Sequence, residues 1–461
     1  MKKILVLMAM GMMSLSVASA QQEFDLTDGL TLDEAIDIAL SHNPTIKVAD
    51  LEVERYDYVY NQAVSSLYPQ IDASAQYALS LRQQQMAEGL SFGGKHTFNL
   101  AGNITLPLFV PSVYRQMKMT KTQMSAAVES ARASRIDMVA AIRTSYYNVL
   151  LAQQALDVLL EARNTTQRVV DDTELMYQND LVSEYDYITA KVQLSNLEPQ
   201  ILQARNGIEI TKLQLKMYLS LPESTDFEVV GSLDDFRQQV LLGGDYTADV
   251  DLEDNTTIKT LDYQEELLVH QEKLIQTTRM PTIAAFGSIS YIGQERVDLS
   301  ALMGDRGGSA SAANQSKFWW QYPISIGAQI SIPIFSGLKK TNQLREARNQ
   351  QRQLREQRDY VLEGIRLQLH QSVNTLLTAR ETMLANEAVV EQAGKAYSIS
   401  LARYDAGAGT ILELNSAQLS QTQAQLNYSQ SIYDYLSAYA EYMRVLGNEG
   451  HLYDMPNYDD K

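Results

Sequence analysis

Asp186 and Glu413 are the sequence's most suggestive ionisable pair. They lie 227 residues apart at equivalent places in two halves of one chain, each just past a break in helical patterning. Carboxylates repeated in this way can hold or gate cations where they face a shared aqueous path. Taken alone, each is an ordinary partner for the positive end of a helix dipole. The run Gly89-Leu90-Ser91-Phe92-Gly93-Gly94-Lys95-His96 fits G-x-x-x-x-G-K, yet has His where Ser or Thr should meet magnesium. It also falls between two strand patterns instead of before a helix, so phosphate binding is set aside. The 5 histidines are scattered, with no H-E-x-x-H, and no G-x-S-x-G is present. The expectation is no catalytic residue, no cofactor, no metal site and no enzyme activity. Zero cysteines exclude disulfides, Cys-ligated metals and an acylated N-terminal cysteine.

The elements that position these residues are duplicated. At a shift of 212, Asn43, Thr45, Ile46, Lys47, Asp50, Glu54, Pro69, Ile71 and Ala73 recur as Asn255, Thr257, Ile258, Lys259, Asp262, Glu266, Pro281, Ile283 and Ala285. At 226, Leu106-Pro107-Leu108-Phe109 recurs as Ile332-Pro333-Ile334-Phe335; at 227, Tyr177, Ala190, Gln203 and Leu219 match Tyr404, Ala417, Gln430 and Leu446. The growth of the shift from 212 to 226 puts 14 extra residues in the second copy, around the Gly/Ser/Ala-rich segment Gly304 to Ser316. A long-period repeat is read before any single motif, because one unit then explains both halves.

Each repeat opens with a helix. Thr31 and Glu34 form a capping box before the first, and Pro69 stops it. The period then changes to two. Ile71, Ala73, Ala75, Tyr77, Leu79 and Leu81 alternate with Gln70, Asp72, Ser74, Gln76, Ser80 and Arg82, and Phe98, Leu100, Ile104, Leu106 and Leu108 oppose Thr97, Asn99, Asn103 and Thr105. Ile324, Ile326, Ala328, Ile330, Ile332 and Ile334 do the same in the second copy, and Phe318, Trp319, Trp320 and Tyr322 stand at a strand start as an interfacial aromatic girdle. Strands of this length match the ~9–11 residues that cross a bilayer as a tilted β-strand. Between Pro111 and Asp180 there is no Pro or Gly, and about seventy helical residues would extend ~100 Å.

The expected organisation is a signal peptide over 1–20 and a first repeat over 21–222, comprising helix 32–67, strands 70–82 and 96–109, long helix 111–180 and helix 183–221. A crossover spans 223–254. The second repeat covers 255–447, with helix 255–279, strands 282–292 and 322–335, long helix 338–405 and helix 410–446, before a tail over 448–461. Lys2, Lys3, the apolar run from Ile4 to Met13 and Ala18-Ser19-Ala20 carry the export signal. Its removal takes the formal charge from -18, less the two lysines, to -20, which argues against electrostatic binding of nucleic acid or of anionic membrane surfaces.

Four strands cannot close a membrane barrel, whose smallest forms have about eight. Open edges in lipid cost several kcal/mol per unpaired group, so the chain is expected to share a barrel with copies of itself. At this point the sequence resembles the TolC family of outer-membrane efflux proteins over about Leu30 to Gly447, on the repeated helix-strand-strand-helix order, the paired prolines at the junctions and Arg403-Tyr404-Asp405-Ala406-Gly407. The resemblance implies an α+β membrane protein, internally duplicated, whose four strands per chain contribute to a 12-stranded barrel in a homotrimer, continued by a periplasmic α-helical barrel. It implies a passive exit duct exporting small molecules or polypeptides from a Gram-negative cell. Implied partners are outer-membrane lipid, a periplasmic adaptor and an inner-membrane transporter of the resistance-nodulation-division or ABC type.

The resemblance also makes the two helix breaks the periplasmic tip. It assigns adaptor contacts to Tyr177, Asn179, Asp180, Leu181, Val182, Ser183, Tyr404, Gly407, Ala408, Gly409 and Thr410, and an aperture to Tyr404, Asp186 and Glu413. The family's second acidic position and its turn arginine are replaced here by Ser416 and Gly409, which removes the usual charged latch. A non-conducting structural or adhesive envelope protein is the alternative; it would need apolar residues on both strand faces.

Overall fold

The computed structural model describes residues 29–81, 84–87, 90–92, 95–242, 246–295 and 318–447. The expected signal peptide, the glycines of the Gly89 to His96 run, the Gly304 to Ser316 insertion and the C-terminal tail lie outside them. In chain order the elements are α1 (Leu32–His42), α2 (Pro44–Ser65), β1 (Gln70–Leu79), β2 (Gln84–Ala87), β3 (Leu90–Phe92), β4 (His96–Phe109), α3 (Pro111–Gln178), α4 (Glu184–Leu219), α5 (Leu233–Leu242), α6 (Thr256–Thr277), β5 (Thr282–Glu295), β6 (Phe318–Gln321), β7 (Ile324–Ser331), α7 (Lys339–Asp405) and α8 (Ile411–Leu446). No described helix is long and apolar enough to cross a membrane.

The repeated asparagines are helix caps. Asn43 and Asn255 precede α2 and α6 with nearly identical backbones, φ -63 ψ 130 and φ -64 ψ 130. Their Oδ1 atoms accept from Thr45 N at 2.8 Å and Thr257 N at 3.0 Å. Each satisfies a backbone donor that the helix leaves orphaned. The cap at Asn43 also splits the single expected 32–67 helix into α1 and α2. Further bounds differ from expectation. The 223–254 crossover contains α5, β1 ends at Leu79, β5 runs on to Glu295 past the expected 292, and the expected 322–335 strand is β7 alone, Ile324–Ser331, with a separate β6 before it. Pro323 separates β6 from β7 and Pro333 lies beyond β7; neither can donate to a ladder.

Two compact units emerge. One holds Leu40–Thr144, Val240–Val389 and Asp434–Lys461; the other holds Met1–Ala39, Ser145–Gln239 and Val390–Tyr433. The first contains the sheet, with order β1-β4-β5 and both β6 and β7 on the far side of β5, all antiparallel. Register puts Ile71, Ala73, Ala75 and Tyr77 beside Ile104, Gly102, Leu100 and Phe98, and these beside Gly287, Ile289, Tyr291 and Gly293. Ile324, Ile326, Ala328 and Ile330 complete this apolar face. The other face carries Gln70, Asp72, Ser74, Gln76, Asn99, Asn103, Ser288, Ser325 and Gln329, with Ser288 and Ser325 hydroxyls 2.6 Å apart. Phe286, Ile292 and Trp319 are large apolar residues on that face, and the Phe286 ring fills the space where a Gly327 Cβ would stand.

Aromatic rings cross the apolar face at the end remote from the helix junctions. Tyr77 lies 4.8 Å from Phe98, Phe98 5.7 Å from Phe318, and Tyr291 stacks on Trp320 at 4.8 Å. Trp320 covers Gly293. Trp319 pairs with Gln294 on the opposite face, so the girdle is not the contiguous run expected but one ring or two from each strand. Tyr68, Phe109, Tyr114 and Phe335 lie exposed near the strands' other ends. Ten residues of β1 at ~3.3 Å, tilted by ~40°, rise ~25 Å between the two belts, the height of an apolar band in lipid.

In the same unit, α2 packs on α3 through Val53, Ala127 and Ala131, and Arg135 meets Asp50 at 2.6 Å. The second repeat uses charge: Arg348, Arg355 and Arg358 on α7 meet Glu272, Glu265 and Asp262 on α6 at 3.0, 2.6 and 2.6 Å. In the helical unit, Tyr146 is fully buried and its hydroxyl donates to the Leu30 and Val230 carbonyls at 2.9 and 2.6 Å. These carbonyls flank a short parallel bridge between Leu30 and Val229.

Candidate functional site: the two helix breaks

The breaks between α3 and α4 and between α7 and α8 are the same turn built from different residues. In the first, Asp180 N donates to Tyr177 O at 3.0 Å and Leu181 N to Met176 O at 2.9 Å. In the second, Gly407 N donates to Tyr404 O at 2.9 Å and Ala408 N to Arg403 O at 2.8 Å. This is the closure that ends a helix with one left-handed residue, and that residue is Asp180 at φ 57 in one copy and Gly407 at φ 70 in the other. Gly409 has its own reason: a Cβ there would stand 3.1 Å from Tyr404 N and 3.2 Å from Arg403 Cβ. Asn179 Nδ2 donates to Leu175 O at 2.7 Å, closing the α3 end.

Both short helices then start on a hydroxyl cap. Ser183 Oγ accepts from Asp186 N at 3.2 Å, and the Asp186 carboxylate accepts from Ser183 N at 3.2 Å and Ser183 Oγ at 2.8 Å. Thr410 Oγ1 accepts from Glu413 N at 3.2 Å. The two expected aperture carboxylates therefore differ. Asp186 is engaged by its own helix start, whereas Glu413 reaches back to Arg403 at 3.8 Å with both side chains more than half exposed. An exposed pair at that distance contributes ~1 kcal/mol or less. Arg403 also donates to Ala408 O at 3.2 Å, supplying from the preceding turn the cation that position 409 lacks.

Tyr404 is 8% exposed. Its ring packs with Val169, Val170, Ala190, Ile411 and Leu414, and its hydroxyl is 3.1 Å from Thr173 Oγ1. Burial pushes its pKa up, partly offset by the Thr173 hydrogen bond. Within one chain it thus ties α7 to α3. Its counterpart Tyr177 is exposed and stacks on Tyr187 at 5.8 Å, and Tyr187 donates to Glu174 at 3.1 Å. Leu181, Tyr185 and Ile188 present apolar side chains to solvent, while Val182 is half-buried. Farther along, Gln418 Nε2 donates to Ala162 O at 3.1 Å and Thr166 Oγ1 at 2.6 Å, joining α8 to α3.

Sequence reasoning missed Thr173, Arg403 and Tyr187. The Ser183-x-x-Asp186 spacing did carry the cap signal. No group of three His, Asp or Glu among the described residues could hold a metal ion.

A sheet with an apolar belt, a polar face and, among the described residues, two unpaired edges, on a chain with paired long helices, defines a membrane channel subunit of the outer-membrane type. The model of the family described as outer membrane efflux protein matches residues 35–220 and 276–448, and the chain belongs to that family. It is accordingly an outer-membrane protein of export machinery. Outer membrane protein TolC of Escherichia coli is 20% identical over 401 residues, 86% of this chain and 77% of that protein. Alkaline protease secretion protein AprF of Pseudomonas aeruginosa is 20% identical over 338 residues, 72% of this chain and 66% of the relative. Among solved structures, the Campylobacter jejuni CmeC outer membrane channel aligns at TM-score 0.68 with 17% identity, covering 91% of this chain and 86% of that one. VceC of Vibrio cholerae aligns at 0.66 with 18% identity, over 90% and 96%.

Proposed function

We propose that three copies of this chain form a passive exit duct, with twelve strands closing a barrel in the outer membrane and the helices extending into the periplasm. The observation that carries the oligomer is the sheet. Among the described residues β1 pairs only with β4, and β6 and β7 only with β5, so both outer edges lack partners. On the ten-residue β1 edge about ten backbone groups point outward, and at several kcal/mol each in lipid no isolated chain would tolerate them. Pairing β1 of one copy with β6 and β7 of the next removes every edge. The polar face then lines water, which argues against a non-conducting structural or adhesive role.

The duct is passive in this reading, with energy supplied by an inner-membrane partner. The tip turns are proposed to receive a periplasmic adaptor through Tyr177, Asn179, Asp180, Leu181, Val182, Ser183, Gly407, Ala408, Gly409 and Thr410, linking the duct to an inner-membrane transporter of resistance-nodulation-division or ABC type. Glu413, exposed beside Arg403, is the better candidate for an acidic ring at the aperture; Asp186 serves first as a helix cap, and Tyr404 acts by holding α7 on α3. Native mass spectrometry of detergent-extracted outer membranes should give a trimer, and planar bilayers should show cation-preferring channels. A monomer, or absence of conductance, would overturn the proposal.

A further inference from the structure

The four segments that join the sheet to its helices are free of acid. Residues 58–70, 111–128, 273–281 and 331–345 contain no Asp or Glu, in a chain with 56 acidic and 38 basic residues. They hold eight cations: Arg115, Lys118 and Lys121 on α3; Lys273 and Arg279 at the end of α6; and Lys339, Lys340 and Arg345 on α7. None of the eight meets a carboxylate among the described residues. Lys340 donates to Thr278 O, Arg279 to Thr341 Oγ1 at 3.3 Å, and Lys121 sits 5.3 Å from the centre of the Tyr60 ring. Lys118, Lys121, Lys273, Arg279, Lys339 and Arg345 are exposed, and Arg115 and Lys340 half-buried. Over the next one to four turns away from the sheet, Arg348, Arg355 and Arg358 each have an acidic partner.

We infer that this collar binds anionic phospholipid headgroups of the leaflet that the helices enter. The inference rests on the proposed placement of the sheet in the membrane. Its level follows from Tyr68, Phe109, Tyr114 and Phe335, an aromatic belt at the same junctions that marks the boundary between acyl chains and headgroups. Cations just outside such a belt meet lipid phosphates, and unlike the paired arginines they have no internal anion to displace. The positive N-termini of α3 and α7 are offset there by the negative C-termini of α2 and α6, so the attraction rests on the side-chain cations. An otherwise acidic protein is thus repelled by an anionic surface everywhere except at the level where it must rest in one.

The test uses full-length protein reconstituted in phosphatidylcholine containing about one-fifth phosphatidylglycerol. Electron paramagnetic resonance of spin-labelled phosphatidylglycerol and phosphatidylcholine reports which lipid is held at the protein surface. A preference for phosphatidylglycerol on the order of threefold in low salt, vanishing in molar salt, is expected. It should be lost when Arg115, Lys118, Lys339 and Arg345 are all changed to Gln, and kept in Arg348→Gln with Arg355→Gln. A preference that survives the fourfold change, or equal binding of both lipids by the unaltered chain, refutes the collar. Competition by inorganic phosphate that abolishes the preference would assign the site to free phosphate and refute it too. Quenching of Trp320 by lipids brominated in the acyl chain reports insertion separately: no quenching means that the membrane placement itself is wrong, and the collar falls with it.

Discussion

Tyr404 is the place where the two repeats hold each other at the helix breaks, and its bond has a direction. The Thr173 hydroxyl proton goes to Val169 O at 2.7 Å, so the Tyr404 hydroxyl must donate to Thr173 Oγ1. Tyr404→Phe keeps the ring in its apolar cluster and removes one net hydrogen bond, ~0.5–1.5 kcal/mol. Thr173→Val instead leaves a buried phenol without an acceptor, ~1–3 kcal/mol. If the tip opens by parting α7 from α3, the first change should raise the open-to-closed ratio roughly two- to tenfold and the second more, at tenfold per 1.4 kcal/mol. The double variant should be milder than the sum, since it leaves no unsatisfied group. Single-channel open probability in planar bilayers reads all three. Because burial raises the Tyr404 pKa, the bond is intact below the ordinary value of 10.0 and is lost only as pH rises through the higher folded value, so the effect should not change between pH 5 and 9. Strictly additive effects, or folded variants with unaltered open probability, would refute the latch.

The remaining predictions concern stability. Glu129 is buried against Arg132, and its pKa is raised chiefly by burial, opposed by Arg132 and Lys259. Stability from that group is present below 4.5 and falls as pH rises through the folded value, so the melting temperature of the unaltered protein should decline above pH 4.5 and Glu129→Gln should flatten that decline. Gly293→Ala puts a Cβ 2.4 Å from Trp320 Cζ3 and should cost ~1–3 kcal/mol, lowering the temperature at which the barrel dissociates in detergent, whereas Gly102→Ala, 3.4 Å from Ile289, should be tolerated. Asp180→Gly should stabilise the first turn, and Gly407→Asp destabilise the second, by ~1 kcal/mol each in thermal melts.

Much of the fold was legible because it is written in periods. Two-residue alternation located β1, β4 and β7, and the repeat put Asn255 at a helix start, whereas its counterpart Asn43 lay inside the expected 32–67 helix and its cap went unread. Strand bounds slipped where a proline removes a donor without disturbing the hydrophobic alternation, as at Pro323 and Pro333. The girdle was misread for a related reason. Phe318, Trp319 and Trp320 are neighbours in sequence, but the pleat sends Trp319 to the other face, and the belt is completed by Tyr77, Phe98 and Tyr291 from distant strands. The two helix breaks were located, yet the contacts around them were not. Nothing in the spacing of Tyr404 announces Thr173, 231 residues earlier, and a search for a cation at 409 passes over Arg403, which donates to Ala408 O.

The two repeats agree in backbone and differ in what stabilises it. At the helix breaks one left-handed position is met by glycine in one copy and by a strained aspartate in the other. At the junctions below the sheet, α2 and α3 close on Val53, Ala127 and Ala131 with one largely buried pair, Arg135 and Asp50, whereas α6 and α7 close on three more exposed arginine–carboxylate pairs. Packing holds at any ionic strength; exposed ion pairs weaken as salt screens them. A tube built from such alternating hairpins has walls of two kinds. Under high salt the α6–α7 hairpins should loosen while the α2–α3 hairpins do not, so amide exchange in residues 256–277 should quicken with salt and exchange in residues 44–65 should not. Equal responses in both segments would mean that the ion pairs contribute nothing the apolar contacts do not already supply.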